Sequence, residues 1–360
     1  MREPLRYAVV GCGRIAPLHL QAIAANPRAR LVATCDIVEE RAKHAAGRFG
    51  ADFHSTDYRE LFASGRLGAV SLCLPHHLHA DAIVAAAEAG LHVFCEKPVS
   101  TNPADADRAI AACDAAGVTL GICLQNRYNA ASRVLHQAVE RGRFGRLLQA
   151  GITFQNRKTP DYYRDPWHGR WATEGGGTLT TQTLHTIDLM LWAMGPARTV
   201  QASVATLVHE IEVEDTAAVA VEFASGALGV ITSTTASRTF WSQRLEVVGT
   251  EGKAVLHNNR VVEWDFADGA PDRQEVMAID ELRGVPDERG RYGFGHERIL
   301  REFVDCVLDG RPFPIDAREG RKVSDLLWAI YESARTGRRV PVREGDRLST
   351  EAPETADERR

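Results

Sequence analysis

Tyr7-Ala8-Val9-Val10-Gly11-Cys12-Gly13-Arg14-Ile15-Ala16 decides the fold: a short β-branched run breaks into glycines, and a helical pattern then continues to Ala25. Strand, glycine turn and helix in that order bring backbone N–H groups at a helix N-terminus against phosphate. Gly11, Cys12, Gly13, Arg14 and Ile15 are therefore expected to touch a dinucleotide. The pattern is G-x-G-x-x-A, with Ala16 small enough to let helix lie on strand. Alone it is a weak signal, and it gains weight from its surroundings. Leu31-Val32-Ala33-Thr34-Cys35 reads as a second strand, ended by Asp36, 20 residues after Ala16. That is the spacing of an acid that accepts hydrogen bonds from adenosine ribose hydroxyls. Asp36 would repel a 2′-phosphate and the next arginine is Arg41, so NAD is favoured over NADP.

Ala69-Val70-Ser71-Leu72-Cys73-Leu74 is a buried-strand run that exits through Pro75-His76-His77-Leu78-His79 into an alanine-rich helix, which Gly90 stops. Leu91-His92-Val93-Phe94 is the next apolar run, and it ends abruptly at Cys95-Glu96-Lys97-Pro98. Residues 117–124 read as a further strand. Strands alternating with helices imply a parallel, doubly wound sheet, whose ligands lie beyond the carboxyl ends of the strands. Leu74, Pro75, His76, His79, Glu96, Lys97 and Gln125 are on that account cofactor-loop candidates, and Lys97 is a candidate for chemistry. No carboxylate or cysteine is spaced to complete a coordination shell with the histidines at 76, 77 and 79, and no metal is expected. For His79 the plainer alternative is a helix N-terminal residue satisfied by backbone.

Beyond Gln125-Asn126-Arg127-Tyr128 and one helix, the character changes. Strand-like runs occupy 147–155, 200–208, 216–223, 227–234, 244–249, 253–257 and 260–266, joined by turns such as Ala224-Ser225-Gly226 and Thr250-Glu251-Gly252. They argue for an open, mainly antiparallel sheet. A long helix is expected over 177–194, and two more over 297–308 and 318–336. The expected fold is α/β with two domains: a doubly wound Rossmann domain at 1–124 and an α/β domain with an open sheet at 125–343. A charged tail at 344–360 has little to bury and reads as disordered.

At 360 residues the chain suits two cores, and 44% hydrophobic with 25% charged residues is a globular composition. A net charge of −5 with scattered cations argues against nucleic acid. No apolar run approaches the roughly 20 residues that span a bilayer. The N-terminus runs straight into a strand without signal-peptide anatomy. Seven cysteines without a C-x-x-C pair read as reduced core residues of a cytoplasmic protein.

Taken in order, Gly11 to Ala16, Pro75 to His79, Glu96-Lys97-Pro98 and the stretch Gly175-Gly176-Gly177 to Asp188 resemble the Gfo/Idh/MocA oxidoreductase family over roughly residues 4 to 342. The resemblance implies a Rossmann domain paired with an open-sheet α/β domain. It also implies Lys97 at the nicotinamide, a Lys97–Pro98 bond that can be cis, His185 facing the substrate and a homo-oligomer built through the second sheet. Two departures stand out: the family's usual aspartate four residues before the histidine is Thr181 here, and its usual Pro-Asn loop reads Pro75-His76. The run from Tyr162-Tyr163 through Trp167 and Trp171 to Gln182 is similar to a branch acting on sugars and nucleotide sugars.

Alcohol oxidation needs a group to take the hydroxyl proton as hydride leaves the same carbon. His185 is favoured as that group, with Lys97 orienting and stabilising the oxygen; Lys97 as the base remains open. Thr181 places a hydroxyl on the helical face of His185 but carries no charge. Two roles are open to Asp188, a hold on the second ring nitrogen of His185 or a helix-surface acid. Arg127, Tyr163, Trp167, Trp171 and Gln182 complete the substrate-side candidates, since aromatic faces stack on sugar rings and arginines fork to oxygens. The function expected is an NAD-dependent dehydrogenase of a sugar, sugar derivative or cyclitol. The alternatives are a glycosidase or lyase that uses transient oxidation with no net redox change, and a cofactor-binding regulator without turnover.

Overall fold

The computed structural model describes residues 3–280 and 294–343. The tail 344–360 and residues 281–293, which include most of the polar stretch 283–296 that the sequence offers as a loop or lid around Gly293, lie outside the described residues.

The first sheet contains β1 (Leu5–Val10), β2 (Ala29–Cys35), β3 (Phe53–Ser55), β4 (Ala69–Leu72), β5 (His92–Cys95) and β6 (Leu120–Ile122). They are ordered β3-β2-β1-β4-β5-β6, with every pairing parallel. Strands covered on both faces read as continuous apolar runs, and Val9, Val70, Leu72, Val93 and Phe94 are fully buried accordingly. The order reverses between β1 and β4, which opens a crevice outside their carboxyl ends. The glycine loop and the loop after Leu72 both empty into it. The three residues of β3 are too few to show in the sequence, and this edge strand was not expected.

The second sheet contains β7 (Leu147–Arg157), β8 (Ala197–Ala205), β9 (Thr216–Phe223), β10 (Leu228–Thr234), β11 (Ala236–Gly249), β12 (Gly252–His257), β13 (Arg260–Phe266) and β14 (Val340–Pro341). Its order is β13-β12-β11-β7-β10-β9-β8-β14, antiparallel except for β7 with β10. In β9 and β10 side chains alternate strictly between buried and solvent-facing, as a sheet covered on one face requires. The covered face receives the helix Leu184–Met194 on β7 and β11 and the helix Ala317–Thr336 on β8.

Two elements differ from expectation. β11 begins at Ala236, well before residue 244, and its register with β7 shifts between Ala236 and Trp241. The helix expected over 177–194 is a π-helical turn, Thr178–Thr183, followed by the α-helix Leu184–Met194. The cause is competition for backbone groups. The Glu214 carboxylate accepts the N–H groups of Gly177 and Leu179 at 2.8 and 3.0 Å, and Thr183 Oγ1 donates to the Thr178 carbonyl at 3.0 Å. The final helix starts where Asp316 accepts the Glu319 N–H at 2.8 Å.

Candidate active site

Gly11 sits at φ +87°, and a Cβ there would lie 2.3 Å from the Cys73 carbonyl oxygen, so the loop passes β4 only because the side chain is absent. The Cys12 N–H donates to Asp36 Oδ2 at 2.8 Å and the Val38 N–H to Oδ1 at 2.9 Å. Asp36 therefore braces the glycine loop at the end of β2, and each oxygen keeps a lone pair for a ribose hydroxyl. A Cβ on Gly13 would meet nothing within 4 Å, which leaves open space before the helix Ala16–Ala24. Close approach at Gly11, open space at Gly13 and a carboxylate at Asp36 fit a dinucleotide. Arg14 is exposed, its guanidinium 5.3 Å from the Tyr162 ring centroid, and Ile15 is half-buried beside it. Sequence reasoning passed over Ile37, which follows Asp36 and is 90% exposed, an apolar surface beside the ribose acid.

The loop after Leu72 is tied to its neighbours by its imidazoles. His76 Nδ1 meets the Glu174 carbonyl at 2.7 Å, and the two ring nitrogens of His79 meet the carbonyls of Pro98 and Leu74 at 2.7 and 3.0 Å. His79 thus links the Leu74-Pro75 exit to the Lys97–Pro98 bond, which is cis. Both imidazoles were expected at the cofactor, and here their hydrogen bonds go to protein carbonyls. Glu96 is engaged in the same way: its Oε1 lies 2.9 Å from His19 Nε2 and 3.6 Å from His296 Nε2. Burial opposes its charge, yet those imidazoles hold its carboxyl well below the usual range. His19, Glu96, Cys123 and His296 bring ligand-type atoms within 4.8 Å of one another. The Cys123 thiol points to Gln125 Oε1 at 3.7 Å and His19 Nδ1 meets Ser71 Oγ at 3.2 Å, so internal hydrogen bonds already engage most of this cluster.

Lys97 and His185 come together from different sheets. Lys97 Nζ donates to the Thr181 carbonyl at 2.9 Å, four residues before His185 on the same segment. Gln125 Nε2 lies 3.2 Å from His185 Nε2, while His185 Nδ1 has no hydrogen-bond partner among the described residues. Burial and then the Lys97 charge push His185 well below its ordinary pKa, so the imidazole is neutral at neutral pH. Burial also lowers the Lys97 amine, against the opposing pull of Glu96 and Glu174. Asp188 leaves His185 alone and grips Arg127, at 2.6 Å to Nη2 and 2.8 Å to Nε. Arg127, expected on the substrate side, faces Asp188 and, through Nη1 at 2.8 Å, Glu319. It is a buried tie from the turn Gln125–Tyr128 to two helices.

The remaining candidates line the loop 157–171 and the π turn. Gln182 Nε2 donates to Tyr162 Oη at 3.2 Å, Asn156 Nδ2 donates to Gln182 Oε1 at 3.2 Å, and Tyr163 Oη meets Thr235 Oγ1 at 3.3 Å. The Trp167 ring stands edge-on to His76 with centroids 5.0 Å apart, and Trp171 is half exposed, edge-on to Tyr331 at 5.1 Å. Thr181 Oγ1 donates to Glu174 Oε1 at 2.5 Å. Glu174 is not among the residues singled out from the sequence. A carboxylate just ahead of three glycines was the available signal.

Residues 5–123 match the oxidoreductase family described as an NAD-binding Rossmann fold, and residues 132–255 match the GFO/IDH/MocA C-terminal domain. Myo-inositol 2-dehydrogenase of Thermotoga maritima is 30% identical across 94% of this chain and 99% of its own length. Levoglucosan dehydrogenase of Pseudarthrobacter phenanthrenivorans is 25% identical across 92% of this chain and 96% of its own. Among solved structures, the WlbA dehydrogenase from Bordetella pertussis in complex with NADH and UDP-GlcNAcA superposes with a TM-score of 0.89 at 34% identity. That superposition covers 96% of this chain and 99% of that one.

Proposed function

The chain belongs to the Gfo/Idh/MocA oxidoreductase family, and from that premise we propose that it moves a hydride between a secondary alcohol of a sugar, sugar derivative or cyclitol and NAD, with Lys97 and His185 handling the proton. The observation that carries this reading is the Lys97–Thr181 bond, which draws the amine after β5 to the segment bearing His185. The relatives' names point to cyclic polyols, free or nucleotide-linked.

Gly11, Cys12, Gly13 and the first turn of the helix Ala16–Ala24 would hold the pyrophosphate of NAD, Asp36 would hold the adenosine ribose, and Ile37 would offer an apolar surface beside it. Bound NAD supplies the hydride acceptor. The neutral imidazole of His185 takes the hydroxyl proton, and Lys97 donates a hydrogen bond to the same oxygen as charge develops on it. Gln125, the residue that follows a first domain of 1–124, fixes the ring of His185. The seven cysteines are all free thiols, which suits a reducing cytoplasm, and no described helix is long and apolar enough to cross a membrane.

The test is absorbance of NADH from purified protein with NAD or NADP and a panel of inositols, aldoses and nucleotide sugars. NADH should accumulate with NAD. Lys97→Met and His185→Asn should each lower kcat/KM by roughly 10²–10⁴-fold with the fold intact. Bond cleavage without net NADH would move the assignment to a lyase or glycosidase, and full activity in both variants would sink the proton roles.

A further inference from the structure

Glu174 closes the short helix Trp171–Glu174 and is 1% exposed. Its carboxylate lies between two donors, Thr181 Oγ1 on Oε1 and the Gly169 N–H on Oε2, each at 2.5 Å. The carbonyl of the same Thr181 accepts from Lys97 Nζ at 2.9 Å. Carboxylate, threonine and amine form one connected line, and Thr181 has no charge of its own to offer the amine. Nothing in the proton handling derived above uses this buried acid.

We propose that Glu174 is the positioning acid of the Lys97–His185 pair: it fixes Thr181 under the amine and supplies a counter-charge to Lys97. This rests on the dehydrogenase reading. Glu174 is surrounded by Glu214 with its bound Tyr331 hydroxyl, by Tyr163, by Lys97, and by His76 on its own carbonyl. Burial raises its carboxyl to about 7, with Glu214 adding to the rise and Thr181, Gly169 and Lys97 opposing it. Above pH 7 the ionised carboxylate favours the charged amine, and below it that counter-charge is withdrawn. Ionised Glu174 is also the stronger acceptor from Thr181, so oxidation should rise through neutrality as the acid ionises and holds that residue in place, and fall at alkaline pH as Lys97 loses the proton it donates to the developing oxyanion.

The experiment is a kcat/KM pH profile of wild type, Glu174→Gln, Glu174→Asp and the double variant Glu174→Gln/Thr181→Asp. Glu174→Gln should lose the limb near pH 7, and its alkaline limb should move down by about 1 unit. Glu174→Asp and the double variant, each with a carboxylate beside the amine, should regain the alkaline limb. A readout without turnover accompanies it: 13C-labelled lysine, with the Lys97 Cε signal identified by its loss in Lys97→Met. The Lys97 titration should move down in Glu174→Gln, even if no substrate in the panel reduces NAD. That last result would overturn the dehydrogenase reading alone. A Glu174→Gln profile scaled equally at every pH, or a Lys97 titration that does not move, overturns the proposal. Should Glu174→Gln fail to fold, wild-type carboxyl 13C signals decide. A glutamate titrating near 7 and altered in Glu174→Asp supports it, and none above pH 6 overturns it.

Discussion

A methyl group on residue 177 would stand 1.9 Å from the Glu214 carbonyl oxygen, whereas one on residue 13 would meet nothing within 4 Å. The two glycines should therefore fail differently. Gly177→Ala should cost about 1–3 kcal/mol of stability, since backbone must move to admit it. Gly13→Ala should leave thermal unfolding near wild type and weaken NADH binding, measured by fluorescence titration, because the added carbon occupies the approach of the pyrophosphate. Equal melting temperatures for the two variants would refute this. At the same scale, the meeting of Lys97 with the segment of Thr181 and His185 was legible because each sits in a recognisable local pattern. The ion pairing of Arg127 is a different case, because its partners Asp188 and Glu319 lie 61 and 192 residues further along the chain.

Among the elements, the turn Gln125–Tyr128 reaches the helices Leu184–Met194 and Ala317–Thr336 through the Arg127 guanidinium. Arg127→Met would strip the fully buried Asp188 of its hydrogen-bonded cation, at a cost of about 3–5 kcal/mol. Urea unfolding of the variant beside Arg127→Met/Asp188→Leu separates lost packing from stranded charge: the double variant should recover much of the loss. No recovery would mean the arginine matters through its bulk. Strict alternation made β9 and β10 legible. The π turn was hidden because Glu214, which draws the Gly177 and Leu179 N–H groups away from the helical ladder, comes from a distant part of the sequence. β3 was hidden because three residues show no period.

For the molecule as a whole, the outer face of the second sheet is the unfinished surface. Leu228 and Val230 on β10 are 61% and 51% exposed, and Ala218 and Ala220 face solvent on the adjoining β9. An aliphatic face of this kind marks an interaction site, and we read it as the seat of a second copy of the chain. Val230→Glu should lower the mass found by sedimentation velocity while leaving secondary structure unchanged. An unaltered mass, or a wild type that sediments as a monomer, would remove this reading. The doubly wound order and the open sheet were both legible at this scale, since strand–helix alternation and hairpin spacing are global rhythms.

Because Lys97 hangs from a main-chain oxygen at residue 181, the acceptor survives any side chain there, while the hydroxyl that steadies it does not. Engineers can therefore exchange Thr181 for serine and keep both moorings, whereas an aliphatic there leaves the amine its oxygen but unhooks that oxygen from the buried acid.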